Sequence, residues 1–94
     1  MQAFQCFVPG CLPANRISRK CEQLENLCCA VTSIAKPGQV IVDFCAGGGH
    51  LGILLAYLLP DCQVLLIENK EESIRRALER VQKLQLKNIT LYQV

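Results

Sequence analysis

Two acids and a run of glycines carry the residue types from which a ligand site could be made. Asp43 follows the apolar, β-branched run Val40-Ile41-Val42, and Gly47-Gly48-Gly49 come next, before a helix-like stretch that opens at Leu51. Glu68 closes a second apolar run, Val64-Leu65-Leu66-Ile67. A buried strand, a tight turn and a helix N-terminus is how an open α/β sheet builds a ligand site beyond the carboxyl ends of its strands. Gly47, Gly49 and Gly52 satisfy G-x-G-x-x-G. Glu68 lies about 20 residues on, where a ribose-binding acid belongs, so a dinucleotide site is one reading. A glycine turn that only lets a helix pack close to its sheet, with no ligand at all, is the plainer one.

Asp43 discriminates between ligands. A pyrophosphate at a helix N-terminus wants backbone N–H groups and no nearby anion. An acid at the end of the first strand works against that by Coulomb repulsion. The same acid suits a ligand that carries an ammonium and no phosphate. S-adenosyl-L-methionine is such a ligand, with an amino acid end, a sulfonium and a ribose. Asp43 would favour its cationic end, the glycines would let backbone lie close beneath it, and Glu68 would accept both ribose hydroxyls. Each such charge-assisted hydrogen bond is worth roughly 1.5–3 kcal/mol. The expected cofactor is therefore S-adenosyl-L-methionine. His50 reads as a helix-start residue beside the pocket rather than a catalytic base, and Cys45, at the end of a buried strand, as a packing residue.

These residues need a scaffold, and the hydrophobic periodicity supplies one. Ile17, Cys21, Leu24, Leu27/Cys28, Val31 and Ile34/Ala35 fall three and four apart, which predicts an amphipathic helix of about 17 residues. Asn15 or Ser18 would cap its start, and Lys36-Pro37-Gly38 would end it. The cations Arg16, Arg19 and Lys20 read as a solvated helix face. Residues 39–44 form the first strand, and its run Val40-Ile41-Val42 is apolar on both faces as in a central parallel strand covered by helices on each side. Residues 51–59 are nearly apolar all round and should form a largely buried helix. A second buried strand at 63–68, an amphipathic helix at 71–86 and a third strand at 88–94 follow. In the second helix of that series Glu71–Arg75, Glu72–Arg76 and Glu79–Lys83 stand at i,i+4. The alternation predicts an α/β fold with a parallel sheet in the order 3-2-1 and right-handed crossovers. The domains divide into an irregular arm at 1–14, a lead-in helix at 15–37 and the ligand-binding unit at 38–94.

The totals set limits. Ninety-four residues make one domain at most, and 51% hydrophobic residues is a high share for so short a chain. A mean hydropathy of +0.26 suggests a piece of a larger core. The net charge of +2 gives no bulk electrostatic support for nucleic-acid binding. Seven cysteines, an odd number, and no signal-peptide pattern argue against a secreted disulfide framework. Cys6 and Cys11 look like half a zinc site, but the single histidine sits inside the glycine turn, so no metal site is expected. The apolar run at 51–59 falls far short of the ~20 residues of a membrane span. A cytoplasmic protein with no membrane partner is expected.

At Val40-Ile-Val-Asp43-Phe-Cys-Ala-Gly47-Gly-Gly49-His and Val64-Leu-Leu-Ile-Glu68 the sequence resembles the class I S-adenosylmethionine-dependent methyltransferases. The resemblance implies the N-terminal half of a Rossmann-like fold, with Asp43, Ala46, Gly47, Gly49, Glu68 and Asn69 at the cofactor. Cys45 departs from it, standing where many members have the first glycine of the turn. In this family an acid after the third strand usually meets the adenine, and residues after the fourth strand usually hold the substrate; the sequence ends at Val94, before both. The expectation is a truncated methyltransferase-like domain, with RNA or protein as acceptor in the complete protein, that does not catalyse transfer alone. Its catalytic residues stay unknown, and its natural partner is the missing remainder of the domain, without which residues 40–44 form an uncovered apolar edge. The alternatives are a non-catalytic Rossmann-type scaffold or interaction module and a dinucleotide-binding domain.

Overall fold

The computed structural model describes residues 14–44 and 46–94. Six elements alternate along the chain: α1 (Ala14–Ile34), β1 (Val40–Phe44), α2 (His50–Leu58), β2 (Gln63–Glu68), α3 (Glu71–Leu84) and β3 (Ile89–Gln93). The three strands make one parallel sheet with β2 in the centre. This is the expected 3-2-1 order, the first half of a Rossmann-like sheet. Ile41 pairs with Val64 and Asp43 with Leu66, while Val64 pairs with Ile89 and Leu66 with Leu91. Strand side chains alternate between faces. The register therefore puts Asp43 on the same face as Leu66 and Glu68, at the carboxyl ends of the strands.

That face is the core face. Val64 and Leu66 of β2 meet Ile53, Leu54, Leu55 and Ala56 of α2, with Ala77 and Val81 of α3 beside them. Leu24 and Cys28 of α1 close the cluster from the far side of α2. α2 thus sits between α1 and the sheet, and full burial of side chains such as Ile53, Leu54 and Leu55 contributes about 1.5–3 kcal/mol each. Asn88, just before β3, donates from Nδ2 to the carbonyls of Ala56, Leu59 and Cys62 at 2.9–3.1 Å. One side chain thereby ties the end of α2 to the start of β3.

The elements depart from the sequence expectations at their ends and faces. α1 has 21 residues rather than about 17. No glycine or proline stands between residues 14 and 34, so nothing delays its start, and Asn15 and Ser18 lie inside the helix instead of capping it. α2 is buried from Gly52 to Ala56, but Tyr57 and Leu58 in its last turn are exposed. α3 stops at Leu84 because Gln85 turns left-handed at φ 56°, and the Leu86 N–H bonds the Val81 carbonyl. β1 is covered on one face only, since both crossover helices lie on the side of Ile41 and Asp43; Val40, Val42 and Phe44 face outward and are exposed. On α3 the ion pairs are Glu72–Arg76 and Arg75–Glu79. Glu79 has a cation four residues away on either side, and it takes the guanidinium of Arg75 rather than Lys83. These pairs are exposed and contribute a few tenths of a kcal/mol. The expected arm at 1–14 falls almost wholly outside the described residues, as does Cys45.

Candidate functional site

The turn between β1 and α2 is built by backbone geometry that glycine alone adopts without strain. The Ala46 N–H bonds the Ile67 carbonyl at 3.1 Å and prolongs the sheet by one step. Gly47 and Gly49 then take positive φ values of 57° and 79°. Gly49 caps α2, receiving the Ile53 N–H and bonding the Ala46 carbonyl, both at 2.9 Å. The two glycines serve different ends. A Cβ on Gly49 would lie 3.0–3.1 Å from Leu66, Ala77 and Ile53, so that glycine lets the helix approach the sheet. A Cβ on Gly47 would meet nothing within 4 Å, so its backbone faces open space.

Glu68 holds the turn from behind. It is 7% exposed, and its carboxylate accepts the Gly47 N–H at 3.1 Å and the Asn69 N–H at 3.2 Å. Arg80 of α3 reaches the same loop and donates to the Gly48 carbonyl at 2.6 Å. Burial lowers the Arg80 pKa from its ordinary value; Arg76 adds to this and Glu79 opposes it.

In front of the turn lies a cleft of about 270 Å³. Asp43, Ala46, Gly47 and Gly48 form its floor, and Lys20, Gln23 and Leu27 of α1 its facing wall. His50 and Leu51, at the start of α2, complete it. Burial raises the Asp43 carboxyl above its usual range; the Gly52 backbone N–H opposes this, Glu68 adds to it and Lys20 opposes it. Burial, then Arg80 and Lys20, push His50 down to about 4, so its ring is neutral at pH 7. Its Nδ1 is buried and lacks a hydrogen-bond partner. The arrangement offers an acid, a cation, a neutral imidazole and open backbone to a ligand of mixed charge.

Of the residues singled out in the sequence, Asp43, Ala46 and Gly47 meet at the cleft, with Glu68 bonded directly behind Gly47. Gly49 lies beneath, in the packing between α2 and the sheet. Asn69 is exposed beside Glu68, and its carbonyl accepts a 3.4 Å bond from Gln93. Sequence reasoning missed the α1 wall and Arg80. Helical spacing puts Lys20, Gln23 and Leu27 on one side of α1, but it does not say which loop that side meets. Among the described residues no three His, Cys, Asp or Glu side chains gather as a metal ion would require.

Residues 35–94 match the family described as methyltransferase domain. Over 84 residues, 89% of the chain, the sequence is 60% identical to the glutathione S-transferase C-terminal domain-containing protein of Xenopus laevis. The chain spans only 14% of that relative's length. A shorter match, 35% identical over 54 residues, joins 57% of the chain to 25% of the ribosomal RNA small subunit methyltransferase G of Chlorobaculum tepidum. Among solved structures, coclaurine N-methyltransferase bound to N-methylheliamine and SAH superposes with a TM-score of 0.70 at 17% identity. That superposition covers 92% of this chain and 24% of the other.

Proposed function

The chain belongs to the methyltransferase domain family, and from that premise we propose that it is the S-adenosyl-L-methionine-binding half of a methyltransferase-like domain. The observation that carries the proposal is the junction of Asp43, the open backbone of Gly47 and the buried Glu68 at one end of the sheet. Asp43 would attract the ammonium of the cofactor, Gly47 and Ala46 would lie under its body, and Glu68 and Asn69 would stand towards its ribose. A bound donor of this class supplies a methyl group on a positively charged sulfur. The residues of this chain bind and orient it; neutral His50 leaves the cleft without an added positive charge that would repel the sulfonium.

RNA and protein are the acceptor classes within this proposal. The rRNA methyltransferase among the relatives favours RNA, and the net charge of +2 lends it little bulk attraction. The glutathione in the name of the longer relatives belongs to those proteins. Cytoplasmic residence is part of the same reading. It rests on the odd count of seven cysteines, which does not suit a secreted disulfide framework. Among the described residues no helix is long and apolar enough to cross a membrane.

One observation favours a second reading, a scaffold that keeps the fold without the ligand: both oxygens of Glu68 already hold backbone N–H groups. Calorimetric titration of S-adenosylhomocysteine into the chain and into Asp43→Ala and Glu68→Ala variants separates the two. Binding to the unchanged chain, weakened about tenfold or more by each substitution, supports the cofactor site. Absence of binding, or binding untouched by both changes, would leave the scaffold.

A further inference from the structure

Gly47, Gly48 and Gly49 bring no side chains to lock their turn, and a peptide between glycines rotates with little steric resistance. Hydrogen bonds hold it instead. Gly47 donates to Glu68 at 3.1 Å, Gly49 donates to the Ala46 carbonyl at 2.9 Å, and the Gly48 carbonyl accepts from Arg80 at 2.6 Å. We propose that Arg80 is a positioning residue for the ligand site, fixing the turn through the Gly48 carbonyl, and that residue 48 is a glycine because the guanidinium takes the space of its side chain. The effect on cofactor affinity rests on the cofactor reading above, whereas the hold on the turn needs no ligand.

The second half of the proposal follows from where a side chain at residue 48 would go. Gly47 and Gly49 stand at positive φ, and Gly48 does not, so left-handed backbone is no reason for a glycine there. A Cβ on Gly48 would lie 2.6 Å from Nη1 of Arg80 and 3.3 Å from Nε2 of His50. At 2.6 Å one neighbour must move, and the tip of the long arginine moves most cheaply. A side chain at residue 48 would thus push the guanidinium off the carbonyl it serves. Arg75 and Arg76 bond glutamates of their own helix, whereas Arg80 crosses to a turn 32 residues earlier in the chain. It is half-buried, where a charge-assisted bond meets less competition from water than on an open surface. Gly48 lines the cleft together with Asp43 and Gly47. A turn held in one shape before the ligand arrives lowers the ordering cost of binding.

Amide exchange in the ligand-free chain tests the hold directly. The reporter is the Gly47 N–H, and the reference is the Val64 N–H, which bonds the Asn88 carbonyl at the other end of the sheet. Arg80→Met and Gly48→Ala should each speed exchange at Gly47 about tenfold or more, with Val64 unchanged within about twofold. The Gly48→Ala, Arg80→Met double variant should exchange no faster than either single one, because both changes remove the same bond. Arg80→Lys, which keeps a cationic donor, should restore most of the protection. Calorimetric titration of S-adenosylhomocysteine should follow the same order, with Arg80→Met weakened about fivefold or more and Arg80→Lys recovering most of the loss. Unchanged protection at Gly47 in Arg80→Met, equal acceleration at Gly47 and Val64, or multiplied effects in the double variant overturns the proposal and leaves the cofactor reading intact. An Arg80→Met variant that loses protection but keeps its affinity within about twofold overturns the role in the ligand site. If the unchanged chain binds no S-adenosylhomocysteine, the cofactor reading falls and the role of Arg80 in a ligand site falls with it.

Discussion

His50 enters α2 between two cations, Arg80 and Lys20, with its Nδ1 buried and unpartnered. An unfolded histidine protonates near 6.5, whereas this one resists until about 4. Between those values the unfolded chain binds the extra proton, so folding stability attributable to His50 is fully present above 6.5 and is lost as pH falls towards 4. Asp43 acts in the opposite sense, because its carboxyl is raised: its ionisation weakens the fold as pH climbs above the usual 3.8. Replacing His50 with Gln, which keeps a polar side chain but does not titrate, should therefore flatten the acid-side loss. Urea midpoints at pH 7 and pH 5 would converge in His50→Gln relative to the parent; an unchanged gap would mean that other groups set the acid limb. That Asp43 and Glu68 come together at one end of the sheet was legible because each ends an apolar strand run, and strand ends converge in a parallel sheet. The places of Lys20 and Arg80 were not, since each comes from a separate helix; Lys20 lines the cleft from α1, and Arg80 bonds a carbonyl 32 residues away. Helical spacing fixes which residues share a face, not which loop that face meets.

Element boundaries depend on single side chains more than on periodicity. The alternation of strands and helices, and the strand order, followed from apolar runs separated by turn residues. The end of α3 did not, because the left-handed position that closes it is occupied by Gln85 rather than glycine. Gln85→Gly should remove that strain and raise stability by up to about 1 kcal/mol, net of the greater freedom glycine gives the unfolded chain. A urea titration that shows lower stability would contradict the closing geometry at Val81 and Leu86. Asn88 is the converse case, a polar residue that reads as strand-start punctuation and proves to be an anchor. Its amide serves three carbonyls at the end of α2 and in the following loop, all part-buried. Asn88→Ala should cost about 1–3 kcal/mol, since those carbonyls lose their donor together. Faster amide exchange at Leu59 and Cys62, whose N–H groups bond the Leu55 and Leu59 carbonyls, would locate the damage at the helix end.

At the scale of the whole molecule, among the described residues, the sheet has one face covered by helices and one exposed. In the sequence the run Val40-Ile41-Val42 is apolar on both sides, which is the mark of a strand covered twice. The structure covers Ile41 and Asp43, and among the described residues nothing covers Val40 at 58% exposure or Phe44 at 71%. Val42 and Tyr92 share that outer face. β1 is also an edge strand, with one row of backbone groups unpaired in this sheet. An apolar face beside an open edge is a template for association. Because these side chains bury little in the core, polar replacements should cost the fold almost nothing. A Val42→Thr, Phe44→Lys double variant should keep the urea midpoint of the parent while its light-scattering mass stays constant over a concentration range in which the parent's rises. Threonine retains strand propensity at Val42, and a lysine on an edge strand opposes pairing between sheets. If the double variant instead loses more than about 1 kcal/mol of stability, the face is packed against part of the chain in solution, and the bare sheet described above is not its resting state.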